Sequence, residues 1–100
     1  MSSEEQSPVH CLELLVETTE VLISFLTDQD DDKSYEAATI LLTQTFDLFG
    51  PTSITMEQFF PVLDVIEKRI SASDLAGALG QAKLFRKQLH EIIDLVRQGS

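Results

Sequence analysis

At 100 residues, 43% of them hydrophobic, the chain has room for one compact domain with a small core, 1–100, and not for two. Four glycines and three prolines exclude a low-complexity chain, and a single cysteine excludes an internal disulfide. The net charge of −10 is lopsided: residues 1–60 hold twelve acids and one base, Lys33, while 61–100 hold five acids and six bases. Such an acidic surface is repelled by phosphate backbones and anionic lipid, so direct nucleic-acid or membrane-surface binding is disfavoured. A basic protein surface is the natural partner.

Residues 1–6 are polar, carry Glu4 and Glu5, and show no basic-then-apolar leader. They are expected as a disordered tail, and the protein as cytoplasmic. Ser7-Pro8 then opens a first helix over 8–27, the serine capping free amides and the proline occupying the first helical position. His10, Glu13, Glu17, Glu20, Ser24 and Thr27 recur at three- and four-residue steps and form one polar line. The rest of the helix is mostly apolar. Three glutamates within 9–26 argue against a membrane span.

Leu12, Leu15, Thr19, Leu22, Ile23 and Leu26 are expected to face the first helix's own bundle. Cys11, Leu14, Thr18, Val21 and Phe25 remain as a second ridge. A helix apolar on two sides wants partners on two sides. This ridge is the expected interface of a homodimer or of a hetero-complex.

Asp28-Gln29-Asp30-Asp31-Asp32 reads as a turn, with Asp32 or Ser34 capping a second helix over 34–49. Its apolar half holds Ala38, Leu41, Leu42, Phe46, Leu48 and Phe49; Glu36, Thr39, Thr43 and Asp47 line the other. Gly50-Pro51 ends it, with the glycine as a left-handed cap. For the third helix, 56–70, Thr55 and Gln58 form a capping box, and Ile54 and Phe59 a hydrophobic staple. Its stripe is Met56, Phe59, Phe60, Leu63, Ile66 and Ile70, with Pro61 on the solvent side. Ser71 and Ser73 offer caps for a last helix over 74–97, striped by Leu75, Ala78, Leu79, Ala82, Phe85, Leu89, Ile92, Ile93 and Val96. Gly77 and Gly80 weaken its start, which points to close packing there or to fraying.

Short connections make consecutive helices antiparallel. The expected fold is therefore all-α, an antiparallel four-helix bundle made of two successive αα-hairpins. Tyr35-Glu36-Ala37-Ala38 and Leu75-Ala76-Gly77-Ala78 give a faint echo about 40 residues apart, without the other positions of a helical-repeat consensus.

Several constellations invite a chemical reading, and each has a plainer one. A calcium loop starting at Asp28 requires glycine at its sixth position and glutamate at its twelfth, where this chain has Lys33 and Thr39; a solvated acidic turn is the simpler account. His10, Glu13, Glu17 and Glu20 share a face, yet metal-binding bundles draw Glu-x-x-His pairs from two helices and here only one line is visible. His90, with Lys83, Arg86 and Lys87 nearby, resembles a phospho-accepting histidine, and His90-Glu91 resembles the start of a sensor-kinase phosphoacceptor box whose following proline is absent. Cys11 and His10 are adjacent on a helix and point about 100° apart, which rules out a thiolate-imidazole pair. No glycine-rich phosphate loop, serine elbow or paired cysteines occur.

The expectation is a non-enzymatic protein without cofactor or metal, acting through protein–protein interaction as an adaptor, inhibitor or chaperone-like subunit. Its recognition elements are the apolar ridge and the acids Glu13, Glu17, Glu20, Asp28, Asp30, Asp31 and Asp32. The alternatives are a nucleic-acid mimic in which those acids imitate phosphates, and a histidine phosphotransfer bundle using His90.

Overall fold

A computed structural model describes the backbone of residues 8–50 and 54–99 and the side chains of 9–50 and 57–99. The expected tail 1–6, the Ser7 cap, the Thr55/Gln58 box, the Ile54/Phe59 staple and Met56 lie outside, or depend on residues outside, what is described. Among the described residues four helices follow one another: α1 (Pro8–Thr27), α2 (Asp31–Phe49), α3 (Ile54–Ser71) and α4 (Leu75–Gln98). No strand occurs among the described residues. α1 and α3 each pack against α2 and α4, so α1 faces α3 and α2 faces α4 across the diagonals of an antiparallel four-helix bundle. The molecule measures 42 × 24 × 21 Å.

The helix starts differ from those expected, for one physical reason applied twice. α1 and α3 both end in a Schellman motif. The Asp30 amide donates to the Phe25 carbonyl and the Gln29 amide to Leu26, and at the second hairpin the Asp74 amide donates to Arg69 and the Ser73 amide to Ile70. Gln29 and Ser73 take the left-handed conformation, with φ of 60° and 63°. The residue that completes each motif then caps the next helix: the Asp30 carboxylate accepts from the Lys33 amide at 3.1 Å and Asp74 from the Gly77 amide at 3.0 Å. The caps are therefore Asp30 and Asp74, not Asp32 or Ser34, and not Ser71 or Ser73. Gly50 closes α2 with the expected positive φ, 83°, and its amide on the Phe46 carbonyl at 2.8 Å, but its ψ of 150° lies outside the left-handed helical region expected of the cap.

Asp30 and Asp74 set the relation between the hairpins, a shift of 44 positions. In that register eight pairs of buried residues coincide, Leu15 with Phe59, Thr19 with Leu63, Leu22 with Ile66, Leu26 with Ile70, Ser34 with Ala78, Ala38 with Ala82, Leu41 with Phe85 and Thr45 with Leu89, whereas buried Val16, Ile23 and Ala37 fall on Phe60, Glu67 and Gln81, which are not buried. Each hairpin packs both of its helices against the other hairpin, so the two are alike in cap, turn and part of their buried register. The sequence echo at about 40 residues is out of this register; it would set Tyr35, exposed, over Leu75. At one end of the core the ends of α1 and α3 bury large side chains, Leu22, Leu26, Ile66 and Ile70, while the starts of α2 and α4 bury small ones, Ser34, Ala38, Ala78 and Ala82. At the other end Phe59 stands edge-on to Phe85 at 5.1 Å and to Phe49 at 6.2 Å.

Leu12, Leu15, Thr19, Leu22, Ile23 and Leu26 are all buried. So are three residues that periodicity leaves out of α2's apolar set, Ser34, Ala37 and Thr45. Thr19 and Thr45 satisfy their hydroxyls within the helix, donating to the Leu15 and Leu41 carbonyls at 2.7 and 2.8 Å. The Ser34 hydroxyl has no hydrogen-bond partner. Phe60, expected in the buried stripe, is 40% exposed, because it lies one residue, or about 100°, beyond Phe59; its ring stands edge-on to Phe46 at 6.4 Å. Pro61 is exposed. Gly77 answers a close approach: a Cβ there would lie 2.8 Å from the Asp74 carboxyl carbon and 2.9 Å from Arg69 Cδ, whereas Gly80 has open space around it.

Candidate functional site

The residues of the expected ridge separate once the helices pack. Cys11 is buried within the single chain, which takes it out of any accessible ridge. Its position on α1, next to Leu12, already belongs to the intramolecular side. Leu14 and Thr18 are half-buried, and the Thr18 hydroxyl donates to Gln44 Oε1 of α2 at 2.6 Å, tying the two helices together. Phe25 is half-buried beneath the Lys33 ammonium, 5.8 Å from its ring centre. Val21 stands 50% exposed, and across the seam Ile40 of α2 is 53% exposed.

Together Thr18, Val21, Phe25, Ala37 and Ile40 floor an open groove of about 300 Å³ between α1 and α2, walled by Glu17 and Glu36. Ile40 and Glu36 are the members that reading the sequence misses. Ile40 lies between the apolar stripe and polar line of α2, and only the crossing of α1 makes it part of a surface. The other large exposed apolar residues among those described, Tyr35, Phe60, Leu84 and Leu95, are outside this groove.

The acidic recognition set also divides. Asp30 is occupied as a helix cap, and Asp31 and Asp32 sit in the first turn of α2, where their charges complement the helix dipole. Asp28 is exposed in the connection. Glu13, Glu17 and Glu20 line a second groove, of about 430 Å³, whose other wall is His90, Ile93, Asp94 and Arg97 of α4. There Arg97 donates to Glu13 at 2.6 Å. His90 shares this groove with Glu13, Glu17, Glu20, Asp94 and Arg97, and the lining includes none of Lys83, Arg86 or Lys87. Among the described residues no group of three or more His, Cys, Asp or Glu side chains is disposed to hold a metal ion.

The acidity of the Asp74 carboxyl is displaced. The Gly77 amide, and after it the Arg69 guanidinium at 2.8 Å, hold it below the ordinary aspartate value. Both partners are structural, so this shift marks a cap and not a reactive centre.

No family model matches the chain, and neither a curated protein nor a solved structure matches it. No helix among the described residues is long and apolar enough to cross a membrane.

Proposed function

We propose that the protein is a small acidic binding protein without catalytic activity, an adaptor, inhibitor or chaperone-like subunit, that engages another protein through the outer face of α1 and α2. The observation behind this is the pairing of Val21 and Ile40, each about half exposed, over one groove. That groove lies on the acidic hairpin: residues 8–49 carry nine carboxylates and one base, while 54–98 carry six of each. Apolar burial slows release of a partner, and the surrounding negative charge speeds the encounter with a basic one.

Two copies joined face to face at this groove gather four carboxylates, Glu17 and Glu36 of each, around one interface, an accumulation of like charge that costs affinity. Of the two assemblies expected from the sequence, the hetero-complex is therefore better supported than the homodimer. A cytoplasmic setting belongs to the same proposal. The nucleic-acid mimic draws less support, since Asp30 is engaged in capping and Glu13 in an ion pair.

The test compares proteins retained from native extract by the wild type and by Ile40→Asp, after circular dichroism shows both equally helical. A protein held by the wild type and lost with the variant supports the proposal; identical retained sets refute it. A salt series adds the mimic's test, because phosphate imitation predicts binding that collapses as ionic strength rises.

A further inference from the structure

The α1–α2 groove carries enough detail to name the chemistry of its occupant. Two contacts fix how the helices run past each other: Thr18 bonds to Gln44 at one end, and Lys33 covers Phe25 at the other. Between them the antiparallel run sets Val21 near Ile40 and Phe25 near Ala37. The apolar floor from Thr18 to Phe25 is therefore roughly 10 Å long, two helical turns. Glu17 stands at the Gln44 end on the α1 wall, and Glu36 at the Phe25 end on the α2 wall. The result is an oily trough with one carboxylate at each end, on opposite sides.

We infer that this trough receives one amphipathic helix of a partner protein, apolar at i and i+3 or i+4, with lysine or arginine flanking the apolar pair at both ends. This rests on the protein-binding reading above and specifies it. The shape is that of a seam between two antiparallel helices, into which a third helix lays its apolar stripe. The charge at both ends selects cations. At the Phe25 end a partner's base takes the place over the ring that the chain's own Lys33 ammonium holds at 5.8 Å, with Glu36 beside it. Among alternative occupants, an anionic lipid surface is repelled by the same carboxylates. A second copy presenting the same groove brings the like charges together. The pseudo-equivalent face, 44 positions on, has Val65 and Leu84 with Lys68 and Arg69, but these bases are already paired to Asp64 and Asp74.

The test uses the full chain, isotope-labelled, and two synthetic helices about four turns long: one with a leucine stripe flanked by lysines, the other with the same leucines flanked by glutamates. The lysine helix is expected to shift the amides of Thr18, Val21, Phe25, Ala37 and Ile40, and the glutamate helix to leave them unmoved. Ile40→Asp is expected to weaken the lysine helix about tenfold or more, since it places an unpaired charge on the apolar floor. Glu17→Lys with Glu36→Lys is expected to reverse the preference between the peptides. No binding by the lysine helix overturns the inference, as do equal binding of both peptides and shifts confined to residues 28–32. Sedimentation equilibrium showing a wild-type dimer that Ile40→Asp dissolves overturns it as well, yet leaves the broader protein-binding reading standing. That broader reading fails separately, on identical retained sets in the extract experiment.

Discussion

Replacing Ser34 with alanine should make this protein more stable, although it deletes a polar group from a helix start. Ser34 is fully buried and its hydroxyl lacks a partner, so folding strips that group of water and returns nothing. Leaving a buried hydroxyl unsatisfied costs about 1–3 kcal/mol. Alanine also has the better helix propensity, by about 0.5 kcal/mol. Against these stands the small void left by one oxygen atom. At the pseudo-equivalent site the chain already places Ala78, equally buried, so the surrounding geometry accepts a methyl group. The net expectation is a gain of about 1–2 kcal/mol, which for a domain of this size raises the melting temperature by roughly 4–16 °C. Calorimetry and urea titration monitored by circular dichroism would both register it. Thr45→Ala is the matched comparison, because the Thr45 hydroxyl is equally buried but donates to Leu41 at 2.8 Å; it should lose stability, by about 1–3 kcal/mol. If Ser34→Ala melts at or below the wild-type temperature, the hydroxyl is satisfied in solution and the reasoning fails.

The two glycines of α4 should respond differently. Gly80→Ala, with open space around the new Cβ, is expected to stabilise by about 1 kcal/mol, while Gly77→Ala drives its Cβ into the Asp74 cap and the Arg69 stem and should gain nothing or lose; equal gains in thermal melts would disprove the close approach. Asp74 titrates below its unfolded value, so its stabilising contribution is complete above pH about 3.9 and disappears as pH falls through the lower folded value. Asp74→Asn should flatten that acid limb of the stability profile, and an unchanged slope below the ordinary aspartate value would count against the assignment. Gln29→Gly and Ser73→Gly each place glycine at a left-handed position and should stabilise by up to about 1 kcal/mol in denaturant titrations, with a loss at both sites contradicting the Schellman geometry. Arg97→Ala, which breaks a largely exposed pair with Glu13, should cost less than about 1 kcal/mol, a cost that high salt should erase if it is electrostatic.

The limits of sequence reading show most clearly at α2. Its buried face was legible where apolar residues repeat at helical spacing, as at Ala38 and Leu41, but Ser34 and Thr45 are polar side chains whose burial depends on what lies opposite. Ser34 was open to being a cap because the run from Asp28 to Asp32 offers several oxygen donors to a helix start. The choice of Asp30 followed from the way α1 ends, with Gln29 in a conformation that glycine usually supplies. The same substitution of Ser73 for a glycine concealed the cap at Asp74.

By itself, the sequence determined four amphipathic helices, their antiparallel order and the inward set of α1 from Leu12 to Leu26, because hydrophobic spacing and short connections act locally along the chain. It also determined that the first half is acidic. Tertiary structure alone decided which surplus apolar residues stay open: it buried Cys11, tied Thr18 to Gln44, and set Val21 opposite Ile40 with Glu17 and Glu36 at the two ends. Exposure is a property of two surfaces meeting, and residues separated by nearly twenty positions on different helices carry no sign in their own spacing of the groove they will form.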